Sequence, residues 1–257
     1  WKPFYKLLAQ LKTFRLDRAI PITSTPTRIE EFRLLDQSVQ KMVQDNLDVY
    51  TSQKHFIENA AHELQTPLGI AINKLEHLAE GNNLSGEQIR LLSSALDHLD
   101  RLTKLNRSLL LLSKIENHQY HEKANVDLKT IVENTLEDLR EQARYKQISI
   151  ETNTDGCIVE MNNELARILI TNVLKNAIIH TPAGGQVQVK LDRHSLRVSN
   201  TGDQPLSADS LFTRFRRSTA RQSTGLGLSI MKAITDLYGF SVNYHFEDKH
   251  VVVIRFR

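Results

Sequence analysis

The feature that most constrains this chain is a double apolar repeat in its first half. Ile57, Ala61, Leu64, Leu68, Ala71, Leu75 and Leu78 recur at alternating steps of four and three. After an interruption at Gly81-Asn-Asn-Leu-Ser-Gly86, a second series runs Ile89, Leu92, Leu96, Leu99, Leu102, Leu105, Leu109, Leu112 and Ile115. Such steps place every member on one side of an α-helix and exclude a strand, whose side chains alternate between faces. Glycine and asparagine between the series end the first helix, so the pattern predicts two long helices joined by a short loop, an antiparallel hairpin. Each apolar stripe is too wide for one hairpin to cover. Pairing of two hairpins into a four-helix dimer is the economical way to bury them.

Upstream of the hairpin, Phe32, Leu35, Val39 and Met42 keep the same alternation and predict a coiled-coil helix running into it. Thr27 stands three residues before Glu30, the spacing of a capping box, after a turn-rich stretch from Pro21 to Pro26. Downstream of about Val126 the pattern changes. Helical periodicities over 127–145 and 162–180 alternate with short β-type runs at 187–191, 196–198, 240–244 and 251–254. Helices mixed with mostly antiparallel strands predict an α+β sandwich with its helices on one sheet face. The expected organisation is therefore a connector over 1–50, a helical hairpin over 51–122 and an α+β domain over 123–257.

Charge and cysteine content exclude several classes. Against 33 basic and 30 acidic residues overall, residues 1–28 hold Lys2, Lys6, Lys12, Arg15, Arg18 and Arg28 with Asp17 alone, so the body is slightly acidic and a nucleic-acid-binding surface there is not favoured. The single cysteine, Cys157, forms no intrachain bridge and no thiolate cluster, and reads as a small core residue in a reducing compartment. No apolar run approaches the roughly 18 residues of a membrane span. Trp1, Phe4 and Tyr5 followed by basic residues match the cytoplasmic edge of a membrane helix, and the expectation is a fragment that begins just after one.

Two sets of residues carry chemistry. On the first hairpin helix, His62-Glu63-Leu-Gln-Thr66-Pro67-Leu68 puts His62 one position beyond the core residue Ala61, so its imidazole points off the flank of the bundle. A carboxylate at Glu63 can hold one ring proton and leave the other nitrogen free to attack. Glu58 and Thr66 share the face of His62, and Pro67, without an amide hydrogen, predicts a bend within one turn of it. In the third region, Asn172, Asn176 and His180 form a polar stripe at steps of four, opposite Leu165, Ile168, Leu169 and Val173. Carboxamide oxygens are hard ligands suited to Mg²⁺ against a polyphosphate. Asn200-Thr-Gly202 closes a strand with a side chain able to bond a purine edge, and Gly225-Leu226-Gly227 opens a helix whose amides suit phosphate. Between them, Leu211-Phe212-Thr-Arg-Phe215-Arg-Arg217, with Arg221 beyond, reads as a basic lid anchored by its aromatic residues.

In order along the chain, these five motifs resemble those of the sensor histidine kinases of two-component signalling, over roughly residues 50–257. The resemblance implies a dimerisation and histidine-phosphotransfer hairpin, forming a dimeric four-helix bundle, followed by an α/β sandwich of the Bergerat (GHKL) ATPase type. It implies ATP and Mg²⁺ as cofactors. His62 would take the γ-phosphoryl group, with Glu63 as its acid/base partner and Thr66 positioning water during dephosphorylation of a response regulator. Asn176 would hold the metal, with Asn172 and His180 beside the nucleotide, Asn200, Gly202, Phe212, Phe215, Gly225, Leu226 and Gly227 around it, and Arg217 approaching the transferred phosphate. The implied partners are a second copy of the chain and the receiver domain of a separate response regulator, with no direct nucleic-acid contact. The full-length chain would be membrane-anchored with this portion in the cytoplasm, and residues 1–50 would form a HAMP-like connector. Three positions depart from the family pattern: Asn200 where aspartate is usual, Ile179 where a basic residue is common, and Ser223 in place of a leading glycine. Two other readings stay open at this stage, a gyrase-like or Hsp90-like ATPase with Glu164 as its water-activating carboxylate, and a non-catalytic or phosphatase-only signalling relative.

Overall fold

The computed structural model describes residues 1–14, 23, 27, 29–81, 84–202 and 225–256, without the side chains at 3, 13, 53, 54, 57 and 58. Phe212, Phe215, Arg217, Arg221, Ser223, most of the turn-rich stretch and the side chains of Ile57 and Glu58 thus lie outside the described residues. The chain divides into two compact units, Trp1–Glu63 and Leu64–Arg257.

In the first unit, α1 (Lys2–Thr13) meets the start of α2 (Glu30–Ala79) through aromatic edges, with Trp1 and Phe4 each within 6.5 Å of Phe32 between ring centroids (6.1 and 6.4 Å). Leu7, Asp36, Val43 and Ala61 are buried, whereas Leu35 and Met42 are exposed. The covered stripe is therefore Phe32, Asp36, Val39 and Val43, offset from the predicted Phe32-Leu35-Val39-Met42 seam. At 3.6 residues per turn the two stripes are neighbours on one helix, and the single chain covers only one of them. Thr27 does not close the predicted capping box: its hydroxyl accepts from the Ile29 amide at 3.2 Å, and the Glu30 carboxylate takes Arg33 instead.

The second unit begins within α2, which continues helical through Pro67 to Ala79. The helix α3 (Gly86–Glu116) starts on a complete capping box, Ser85 accepting from the Gln88 amide and Gln88 from the Ser85 amide. Leu64, Ile70 and Leu78 on α2 and Ile89, Leu91 and Leu102 on α3 remain exposed. At its other end α3 changes role, because Leu112 and Ile115 are buried in the core of the α+β region. The hairpin's second helix thus doubles as a wall of that region.

The elements that follow are β1 (Ala124–Asp127), α4 (Leu128–Asp138), α5 (Arg140–Tyr145), β2 (Ser149–Thr154), β3 (Ile158–Met161), α6 (Asn163–His180), β4 (Gln186–Leu191), β5 (Ser195–Thr201), α7 (Gly227–Tyr238), β6 (Ser241–Phe246) and β7 (Lys249–Arg255). The helix expected over 127–145 is corrected to two, α4 and α5 meeting at Leu139, so that Ala143 turns into the core. Five strands form one sheet in the order β2-β4-β5-β7-β6, with only β2 and β4 parallel, and β1 and β3 make a separate antiparallel pair. Val187, Val189, Leu191, Leu196, Val198 and Ile254 face the helices and are nearly sealed from solvent. Against them lies α6, which buries Leu165, Leu169, Ile170, Val173, Leu174 and Ile178.

Side chains brought from elsewhere in the chain pin α6 at both ends. At its start Asn162 accepts from the Glu164 and Leu165 amides, and its own amide donates to Tyr238 Oη of α7 at 3.0 Å. At its end Lys146 Nζ donates to the carbonyls of Ile178, Ile179 and Thr181 at 3.1, 2.7 and 2.9 Å. An ammonium has three hydrogens, and all three are used on carbonyls at the negative end of the helix dipole. Lys146→Met is expected to lower unfolding stability by about 2 kcal/mol, the scale of hydrogen bonds to a charged group. Urea unfolding followed by circular dichroism measures it, with Lys146→Arg recovering part of the loss.

Candidate functional site

The buried flank of α6 fixes which way its polar flank faces. Asn172 and Asn176 are half-buried and His180 is exposed, one turn apart along that flank. Asn172 Nδ2 donates to the Ile168 carbonyl at 2.8 Å, which turns the carboxamide oxygen away from its own helix. That oxygen meets the start of α7: a Cβ added to Gly227 would stand 2.8 Å from Asn172 Oδ1 and 3.8 Å from Asn176 Nδ2. Gly227 is thus the residue that lets the N-terminus of α7 close on the asparagine stripe. Gly225 adopts a φ of 73°, in the region that favours glycine, and Leu226 is fully buried, so Leu226 offers a site its backbone and anchors the turn with its side chain.

The other end of the stripe reaches the sheet. Although the residue keeps contact with solvent, partial desolvation of its ring, then the Lys146 ammonium and His250 of β7, hold the His180 imidazole below its ordinary value. His250 is the register partner of Asn200, and Gly202 follows directly on β5, with His250 against it. Asn200 is buried, and its Nδ2 donates to the Thr201 carbonyl at 3.2 Å, so its nitrogen is engaged by the strand backbone. The structure therefore brings Asn172, Asn176 and Gly227 together where α6 meets the start of α7, and Asn200, Gly202 and His250 together at the ends of β5 and β7, with His180 near enough to His250 to feel its charge. Carboxamide oxygen and helix-terminal amides at one end, and neutral hydrogen-bonding groups at the other, suit a ligand with a polyphosphate and a polar base. Carboxamide oxygens also suit a hard divalent cation shared with phosphate oxygens.

His62 and Glu63 are exposed on α2, directly after buried Ala61, and Thr66 and Pro67 are exposed on the next turn. Glu164, the alternative water-activating carboxylate, lies in the first turn of α6, ~12 Å along the axis from Asn172. There its charge, second to burial, raises the Tyr120 phenol. Buried Cys157 has its thiol pushed up to about 11, first by burial and then by Asp192 and Asp127, which fits an inert core thiol.

Sequence reasoning did not single out Lys146, whose bonds reach carbonyls 32, 33 and 35 positions away with no local signal. Nor did it single out Asn162 as the cap of α6, although a capping residue type at the head of that pattern is a local signal that could have found it. Because the folded chain holds His180 below its ordinary value of 6.5, the unfolded chain takes up that proton first. Stability is therefore expected to fall as pH drops below that value, and His180→Gln to flatten the dependence, measured by thermal unfolding between pH 7 and pH 5.

Residues 52–118 match the His Kinase A (phospho-acceptor) domain, and residues 160–257 match the histidine kinase-, DNA gyrase B- and HSP90-like ATPase domain. Among curated proteins, the chain is 32% identical over 254 residues to drug sensory protein A of Synechocystis, an alignment covering 86% of this chain and 38% of that protein. It is 27% identical to sensor histidine kinase HprS of Escherichia coli, covering 86% of this chain and 51% of the relative. It is 29% identical to heme sensor protein HssS of Staphylococcus aureus, covering 97% and 56%. The chain thus spans between about two fifths and just over half of the length of these relatives. Among solved structures it shares a fold with full-length ShkA bound to AMPPNP, at a TM-score of 0.63 and 20% identity over 78% of this chain and 45% of that one. It likewise resembles histidine kinase AdeS of Acinetobacter baumannii, at 0.52 and 22% over 76% and 96%. With a phospho-acceptor hairpin followed by an ATPase-type α/β domain, in that order, the chain belongs to the sensor histidine kinases of two-component systems.

Proposed function

We propose that this chain is the kinase portion of a sensor protein, an ATP:protein-L-histidine phosphotransferase that phosphorylates its own His62 and passes the group to an aspartate on a response regulator receiver domain. The observation that carries the reading is the pairing of an exposed histidine inside a phospho-acceptor segment with an asparagine stripe closed on a glycine-led helix start. One ring nitrogen of His62 attacks the γ-phosphorus while Glu63 holds the proton on the other. The bond from γ-phosphorus to the bridging oxygen breaks, and ADP leaves with its electron pair. Phosphoryl transfer needs little covalent help, so positioning and charge stabilisation carry the rate. Asn176 would hold Mg²⁺, which when bound with the nucleotide would supply charge neutralisation on the phosphates, and Asn172 and His180 would lie beside the nucleotide. Asn200 takes the amino hydrogen of the base. Phe212, Phe215 and Arg217 would serve as the anchored basic lid, and Thr66 would position water for phosphatase action on the regulator.

Within this reading residues 1–50 form a HAMP-like connector, 51–122 the dimerisation and phosphotransfer domain and 123–257 the ATP-binding domain. Exposed leucines and isoleucines along α2 and α3 support a homodimer that covers them. The exposed Trp1 and Tyr5 beside Lys2 and Lys6 on α1 support a place for the connector at the cytoplasmic face of a membrane that anchors the full protein. No helix among the described residues is itself long and apolar enough to cross one. The placement of Glu164 against Tyr120 favours the kinase over a hydrolase that uses that carboxylate.

Incubation with γ-labelled ATP tests the reading. The wild type is expected to acquire acid-labile, base-stable label and His62→Gln none, whereas free phosphate without protein label, or label that survives in His62→Gln, would overturn it. Gly227→Ala, which forces Asn172 aside, is expected to weaken Mg²⁺-ATP binding about tenfold through the loss of a charge-assisted contact, read by calorimetric titration.

A further inference from the structure

Register places a residue that no motif contains in the floor of the nucleotide site. Val187 on β4 pairs with Asn200 on β5, Asn200 with His250 on β7, and His250 with Phe246 on β6, so these four form one row across the sheet. Directly opposed residues of antiparallel strands share a face with Cβ atoms roughly 5 Å apart. Val187 is fully buried under the helices, so the row faces α6 rather than the outer side of the sheet. Asn200 and His250 therefore present a carboxamide and an imidazole side by side, on the side where the asparagine stripe ends.

The imidazole is held on three sides. Tyr244 Oη lies 2.9 Å from His250 Nδ1, and the two rings stack at 6.0 Å and 28°. Phe246 meets the same ring edge-on at 5.2 Å. Its Nε2 and Cδ2 edge lies over Gly202, where any Cβ would overlap both atoms. Gly202 is thus without a side chain because an imidazole fills the space beside it. A base approaching the glycine turn meets that ring.

We propose that His250 is a base-recognising residue of the nucleotide site, oriented by Tyr244 and acting with Asn200, so that a neutral carboxamide and imidazole together read the purine edge. This rests on the nucleotide reading above. A lone carboxylate at position 200 would accept the amino hydrogen with full charge. The uncharged Asn200 accepts more weakly, and the imidazole edge held beside Gly202 adds a second contact with the base that the carboxamide alone lacks.

Competitive titration with ATP, ADP, adenosine and Mg²⁺-tripolyphosphate separates a role at the base from a structural one. His250→Leu is expected to weaken ATP, ADP and adenosine by a common factor of about ten, the loss of one buried polar contact, while leaving tripolyphosphate unchanged. His250→Gln, which keeps a hydrogen-bonding head, is expected to restore most of that loss. Tyr244→Phe, which removes only the anchoring hydroxyl, is expected to lower the three adenine ligands together by about threefold. Unchanged ATP affinity in His250→Leu, or a parallel fall for tripolyphosphate, would overturn the proposal alone. A wild-type chain that binds no adenine ligand would overturn it together with the nucleotide reading.

Discussion

The arrangement of the α+β region depends on α6 being buried along one flank and pinned at both ends. Its apolar residues fill the space above the sheet, and each fully buried leucine or isoleucine contributes about 1.5–3 kcal/mol relative to exposure. Rotation of the helix by a third of a turn would bury carboxamides and expose leucines, so the polar stripe has one permitted direction. The Asn162–Tyr238 bond sets the height of the helix against α7, and Lys146 closes its final carbonyls. With the height fixed, the Asn172 oxygen and the Gly227 backbone come into contact. A ligand site made of a stripe and a helix start needs that one relation above all.

Lys146 also places a positive charge beside Ile179 at the end of α6. It arrives from the loop after α5, and its three hydrogens are committed to carbonyls. Its influence on the site is therefore electrostatic, felt by His180, rather than a direct bond to phosphate. Asn200 is oriented by backbone as well: its amide nitrogen donates to the Thr201 carbonyl.

The hairpin follows the opposite logic. Its apolar residues are only partly covered within one chain, and the open ones lie along the length of both helices. That incompleteness supports the proposed pairing with a second copy, while His62, one position beyond buried Ala61, stays in water. Only the last turns of α3 are sealed, by the α+β core. Leu112 and Ile115 thus tie the end of α3 to the core of that region.

Spacing alone located the hairpin, its loop, α6 with its polar stripe, α7 and the four core strands, because each is a local periodicity between breakers. It missed β1, β2 and β3, which are short or polar: the sequence Ser-Ile-Glu-Thr-Asn-Thr of β2 lies on a sheet edge with one face exposed. It also joined α4 to α5, since an apolar rhythm continues across the break at Leu139. The candidate ligand residues on α6 and α7 were readable for the same local reason. Their mutual contact was not, and neither were Lys146, Tyr238 and His250, each of which acts on residues dozens of positions away. Local order along the chain is set by torsional preference and the spacing of apolar groups, which the amino acids carry with them. Which helix end meets which strand, and whose hydrogen completes whose carbonyl, arises only when distant segments are packed into one core.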